Sequence, residues 1–299
     1  MPAAPLKTVP RSAAPPSKQS KPSGMRPDFA TFGGIAVAFA GILGGLLVEK
    51  GSLQDVAQMT AAMIVLGGTL GAVLVTTPLP VFLSACKSLG GAFFETGDST
   101  AATVDSLIRY ATVARKNGIV SLEMEAAAIQ DPFLRKALNL AVDGTDLQEL
   151  RKMMELDNNL AELAGEANAR VWEAAGGYAP TIGIIGAVMG LIQVMKNLED
   201  IKAVGHGIAV AFVATVYGVG SANIFFLPVA NKLRGRMRAA AVIRDLILEG
   251  VMGIVEGLNP TLLRLKLEAY NLDSRRPAKA KPSKTAANPA PSGQPAEGR

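Results

Sequence analysis

Four stretches of this chain carry no Asp, Glu, Lys or Arg: residues 30–48, 56–86, 174–195 and 203–231. A helix of about 20 apolar residues crosses a hydrocarbon layer roughly 30 Å thick, so each stretch predicts one transmembrane helix. In the first, Phe32 to Val48 is an unbroken apolar run that Phe29 can extend. The second is longer than a crossing needs, and Pro78 and Pro80 predict where its helix ends or kinks.

The polar region between spans two and three is also helical in pattern. Val104, Leu107, Ile108 and Ala111 recur at the three-and-four spacing of an amphipathic helix. Thr145 and Gln148 read as a capping-box pair ahead of Leu147, Leu150 and Met154. The pattern continues through Leu160, Leu163 and Ala167, which predicts one long helix rising into span three. Beyond span four, Val242, Leu246, Ile247 and Met252, with Arg244, Asp245 and Glu249 between them, predict a further amphipathic helix, stopped by Gly257, Leu258, Asn259 and Pro260.

The fold class expected is therefore an all-α integral membrane protein, with four transmembrane helices, a cytoplasmic helical domain between spans two and three, and a C-terminal amphipathic helix. Its segments are residues 1–27, a basic tail; 28–86, spans one and two; 87–173, the cytoplasmic domain; 174–231, a transmembrane hairpin; 232–273, the cytoplasmic C-terminal helix; and 274–299, a second tail. Both tails are built from Pro, Ala, Ser and Lys with few large apolar side chains, a composition expected to stay disordered and able to rest against anionic membrane lipid. The apolar run starts too late and continues too long for a secretory signal.

Charge sets the expected orientation, because Lys and Arg collect on the cytoplasmic side. Lys7, Arg11, Lys18, Lys21 and Arg26 precede span one, whereas the loop between spans one and two has only Lys50 and that between three and four only Lys196 and Lys202. The basic collar Lys232, Arg234, Arg236, Arg238 follows span four, and residues 87–173 hold nine more cations. Both termini are expected inside. Cys86 is the single cysteine, so no internal disulfide forms. Trp172, beside the inner end of span three, is expected to be an interfacial anchor.

The spans contain glycine pairs at helical spacing. Gly67 with Gly71 and Gly186 with Gly190 are GxxxG pairs, and Gly183 lies one turn before Gly186; such faces let helices approach closely, between subunits or within one. Spans three and four are joined by a short outer loop from Lys196 to about His206 and must be antiparallel neighbours. Counting inward puts Ala187 and Thr215 at similar depth near the middle, with Tyr217 further in and Pro180 and Pro228 near the inner end. Thr215 either faces an ion or bonds its own helix carbonyl; the two prolines either kink their helices or free a carbonyl for an ion. Neither span carries an acid, Lys or Arg that could bind or relay an ion.

No metal-ligand cluster, suitable Cys/His pair or phosphate-binding loop is present, so an enzyme is not expected, and neither cofactor, metal nor nucleic acid is implied. A secondary transporter would need an acid or His within its spans, and His206 is expected in the outer loop.

Gly176 through Gly190, reading GGYAPTIGIIGAVMG, resembles the third-span signature of the MotA/TolQ/ExbB family, in particular its flagellar stator A subunits. Ala114 to Glu123 is similar to the family's cytoplasmic Arg-Lys-x-Gly…Leu-Glu motif, and Ser221 to Leu233, with Phe225, Phe226, Leu227 and Pro228, to the end of its fourth span. The resemblance runs from about Phe29 to Leu272. It implies a bacterial inner-membrane protein: a ring of A subunits around a single-span B subunit that has a peptidoglycan-binding domain and brings an aspartate into the ring. It also implies that Arg115 and Glu123, helped by Lys116, engage the rotor switch protein, and that Pro180 and Pro228 couple ion passage to movement. Sodium-driven relatives usually have Thr at the positions of both Ala187 and Thr215; only the second is Thr here, which favours a proton over sodium as the transported ion. An ExbB- or TolQ-type energiser is the alternative, against which the basic leading tail and the extra leading span argue.

Overall fold

The computed structural model describes residues 26–52, 56–95 and 100–270. Of the two expected disordered tails, only Arg26 and Pro27 fall among them. Four helices are long and apolar enough to cross a membrane, as the charge-free stretches require: α1, Phe29–Val48; α2, Met59–Thr76; α7, Leu147–Lys196; and α8, Ile201–Val255. Between α2 and α7 come α3, Leu79–Phe93; α4, Thr100–Asn117; α5, Glu123–Ala126, after a 3-10 turn over Ile119–Leu122; and α6, Pro132–Val142. Helix α9, Pro260–Glu268, follows α8.

Local chemistry explains most of the boundaries. The Asp28 carboxylate accepts from the backbone N–H groups of Ala30 and Thr31 and so caps α1. The second apolar stretch divides into two helices: Thr77 is extended (φ −125°, ψ 128°) because Pro78 follows it, and a new helix starts at Leu79 with Pro80 in its first turn. The expected capping box at Thr145 does not form. Asp146 caps α7 instead, its carboxylate accepting from Gln148 and Glu149 N–H at 2.9 and 3.4 Å. An acceptor one residue later offers a full carboxylate where threonine offers a hydroxyl, and it displaces the weaker cap.

Helix α7 has 50 residues, about 75 Å at 1.5 Å per residue, so it continues well beyond any bilayer crossing. Pro180 lies inside it. Helix α8 holds Pro228, and the six residues Ser221–Phe226 ahead of it are wound as a π-helix. The wider π turn makes room where the proline ring would otherwise press on the preceding turn. A second π segment, Met63–Gly67, lies within α2.

The chain forms two compact units. One holds the described residues before Thr100 together with Lys152–Asp245, and the other holds Thr100–Arg151 with the described residues from Leu246 onward. In the first unit the core gathers Trp172, Phe226, Val229, Leu233 and Ala85, with Phe93 and Phe225 packed against them. Trp172 is 8% exposed, so it is a core residue and not an interfacial anchor. Its indole N–H donates to the Ala85 carbonyl at 3.2 Å, and its ring meets Phe225 edge-on and stacks on Phe226. That carbonyl satisfies the one polar atom that would have drawn the ring toward water.

In the second unit Leu107, Leu122, Leu138, Leu150, Leu246, Val251, Leu263 and Leu267 are fully buried. Glu249 ties its elements together, accepting from Arg151 at 3.0 Å and Lys266 at 2.6 Å.

Helix α1 differs from the rest, for none of its residues is buried in its own chain. Its N-terminal end is what fastens it. Asp28 pairs with Lys232 and, at 3.1 Å, with Arg236; the Asp28 N–H donates to Phe93 O at 2.9 Å; and Phe32 meets Phe93 ring to ring. Arg26–Pro27 pairs antiparallel with Phe94–Glu95 just before it.

Candidate functional site

Helices α7 and α8 pack without side chains between them at two levels. A Cβ added to Gly218 would stand 2.6 Å from Ala179 O and 3.0 Å from Gly183 Cα, and one added to Gly183 would stand 2.9 Å from Ala214 O. Further along, a Cβ on Gly190 would meet Gly207 O and Ala211 N at 2.8 Å, and one on Gly207 would meet Gly190 O at 2.9 Å. Gly186 faces the Ala214 methyl and Ile64, and Gly68 of α2 faces Ile182. Glycine alone permits this approach.

Gly183, Gly186 and Gly190 therefore pack within the chain. Gly67 and Gly71 have nothing within 4 Å of an added Cβ, so their face is open in this chain. Sequence reasoning passed over Gly68, Gly207 and Gly218. Gly207 and Gly218 are 11 residues apart, three helical turns, a spacing that marks one face of α8.

The same register brings Ala187 and Thr215 to one level, next to the Gly186–Ala214 contact, and leaves both half-buried. The Thr215 hydroxyl donates to Ala211 O at 3.2 Å, one turn back in its own helix. The Tyr217 hydroxyl donates to Val56 O at 2.5 Å, ahead of α2. Both hydroxyl protons are thus held by backbone carbonyls, while each oxygen keeps acceptor capacity. Pro180 is half-buried and Pro228 exposed. An added Cβ on Gly176 would strike the Leu227 side chain at 2.6 Å, so both prolines belong to the same end of the hairpin. His206 is exposed but not in a loop, since α8 begins at Ile201 under an Asp200 cap that holds Lys202 N–H; the connection is only residues 197–200. Among the described residues no group of His, Cys, Asp or Glu could hold a metal ion.

Beyond the hairpin, Lys232, Arg234 and Arg236 of the basic collar are paired with acids. Arg234 lies between Glu166, at 3.0 Å, and Glu173, at 2.5 Å, and Arg170 reaches Glu166 at 3.3 Å. The hydrogen bonds from Arg234 hold both glutamates below the usual carboxylate range and push its own guanidinium still higher. The Lys232 ammonium, with help from Thr31 N–H and Arg236, holds Asp28 well below the usual aspartate range. The seven-residue spacing of Glu166 and Glu173 puts both on one face of α7, a signal in the sequence that the count of cations alone concealed.

Arg115 and Lys116 end α4, Gly118 turns the chain with φ 85°, and Glu123 opens α5. The turn expected at Asn117-Gly118 is there, and all three charged side chains are exposed. Among the described residues none of the three joins an ion pair, although Arg109, Arg151 and Arg264 of the same unit pair with Glu125, Glu249 and Asp105.

Residues 125–245 match the sequence model of the MotA/TolQ/ExbB proton channel family, and residues 32–118 that of the motility protein A N-terminal region. Motility protein A of Helicobacter pylori (strain 26695) is 33% identical over 243 residues, 81% of this chain and 95% of that protein. The solved structure of C. jejuni MotAB is similar with a TM-score of 0.77 at 31% identity, over 81% of this chain and 95% of that one. That of the flagellar MotAB stator complex from Bacillus subtilis is similar with a TM-score of 0.74 at 30% identity, again over 81% and 95%.

Proposed function

The chain belongs to the MotA/TolQ/ExbB proton channel family as a flagellar stator A subunit, and from that premise we propose how it works with its partners. Several copies assemble with a single-span B subunit in the inner membrane; the likeness to a flagellar MotAB stator complex supports a B-subunit partner. The α7/α8 hairpin is a wall of the ion path. The observation that carries this reading is that residues 174–195 and 207–231 contain no acid, base or histidine, while the two helices close on each other through glycine. A path without its own titratable group needs one from another chain, and a B-subunit aspartate supplies it.

The transported ion is the proton. Sodium wants several oxygens, and at this level the Ala187 side chain offers none, which leaves the hydroxyl oxygen of Thr215 without the second hydroxyl expected of a sodium site. A proton needs only the carboxylate and a water chain. Pro180 and Pro228 interrupt the carbonyl ladders at one end of the hairpin, where a change of tilt passes to the cytoplasmic extensions of α7 and α8. Arg115, Lys116 and Glu123 engage opposite charges on the rotor switch protein, and both termini are cytoplasmic. The match of residues 32–118 to the motility N-terminal model sets aside the ExbB- or TolQ-type alternative. Swimming speed measured against external sodium at a fixed proton gradient tests the ion: speed independent of sodium is expected, and strong sodium dependence overturns the proton reading.

A further inference from the structure

Three helices end around one groove in the second unit. Helices α4 and α6 stop at Asn117 and Val142, α8 stops at Val255, and each end is followed by a glycine of positive φ: Gly118 at 85°, Gly144 at 74° and Gly257 at 70°. These left-handed caps turn the chain away sharply and leave a concave space between the helix ends. The groove is about 380 Å³ in volume, with walls of Ala111, Ala114, Ile119, Ala141, Ile254 and Leu258, and Arg115 lines it too. Nearby in sequence Val120 is 64% exposed and Met124 87% exposed, bracketing Glu123. Val120 and Met124 lie outside the four helices apolar enough to cross a membrane.

We propose that this groove is a socket for an apolar side chain of the partner that Arg115 and Glu123 engage, a rotor segment carrying an acid within one turn of an aliphatic or aromatic residue. The proposal rests on the reading of Arg115 as a rotor contact and adds the apolar half of it. Charge complementarity selects the occupant: Arg115 and Lys116, exposed and in no ion pair among the described residues, call for an acid beside the groove, and a second copy of this chain is the alternative that the crosslink below reads. Physical need points the same way. Exposed ion pairs are weak and screened by salt, so charges alone define position poorly. An apolar side chain seated in the groove would fix the register of the contact and exclude water from the Arg115 pair.

Ala114 is half-buried on the groove wall, and Ala114→Phe would place a bulky ring there. In motile cells the Phe variant is expected to be recovered with the B subunit in wild-type amount yet to lower swimming speed at least threefold. A photo-crosslinking residue at Thr145, on the same groove, is expected to join to the rotor switch protein. Wild-type swimming by an assembled Ala114→Phe stator overturns the socket; if Arg115→Glu still abolishes motility, the rotor reading survives it. Wild-type swimming by Arg115→Glu overturns that reading itself. Should the Phe variant fail to assemble, the crosslink decides: a rotor adduct supports the socket, and adducts only to another copy of this chain, or none, overturn it.

Discussion

Gly183 and Gly218 meet backbone to backbone, and a Cβ on Gly218 would lie 3.0 Å from Gly183 Cα. Overpacking of this kind costs about 1–3 kcal/mol, and the atoms in the way here are main-chain atoms that cannot rotate aside. Gly218→Val is therefore expected to cut the yield of folded complex severalfold and lower its melting temperature in detergent. Gly220→Ala, with nothing within 4 Å of the added Cβ, is expected to leave both unchanged. Equal effects of the two substitutions would refute the packing account.

Arg234 gives the chain just beyond the hairpin a defined pH response. Its hydrogen bonds lower the pKa values of Glu166 and Glu173, so the stabilisation is present above the ordinary glutamate range and fades as pH falls through the lowered folded-state values. With the Glu173 side chain 50% exposed, solvent screening limits each pair to about 1 kcal/mol or less. Melting of the purified complex between pH 7 and pH 3 is expected to lose part of its pH dependence in Arg234→Met. An unchanged acid limb would mean that other carboxylates govern it.

Asp28, whose side chain is only 10% exposed, is expected to anchor the start of α1. It caps α1 and pairs with Lys232 and Arg236, while α1 buries nothing else in its own chain. Loss of an N-cap alone costs about 0.5–2 kcal/mol. Asp28→Ala should make the start of α1 sensitive to limited proteolysis in the purified complex, and Asp28→Asn, which keeps the cap but not the charge, should be intermediate. Identical digestion of all three proteins would count against the anchor.

Arg115→Glu is expected to abolish or severely reduce swimming while membrane level and co-purification with the B subunit stay at wild type. Loss of the protein from the membrane would instead assign Arg115 a folding role.

What could be read without coordinates was governed by local rules. Charge-free stretches specified the four spans, and Asn117-Gly118 specified the turn between Arg115 and Glu123, because a span needs only length and a left-handed turn needs only glycine. The misses all depend on partners far away in sequence. Trp172 looked amphipathic, and only the Ala85 carbonyl, 87 residues away, makes its burial acceptable. Arg234 read as part of a topology signal because its acids lie on another helix. Gly207 and Gly218 fell outside any GxxxG pair, since their contacts are on the opposing helix and follow an antiparallel register. The hydroxyl of Thr215 was open between two readings, and its bond to Ala211 O fills the local one.

The most direct test of the account is proton flux into vesicles containing this chain alone, compared with vesicles containing it together with its B subunit. No flux from the chain alone, and flux from the complex that disappears when the B-subunit aspartate is replaced by asparagine, is the predicted result. Ready proton passage through the chain alone would contradict the claim that its uncharged hairpin depends on an acid from another protein.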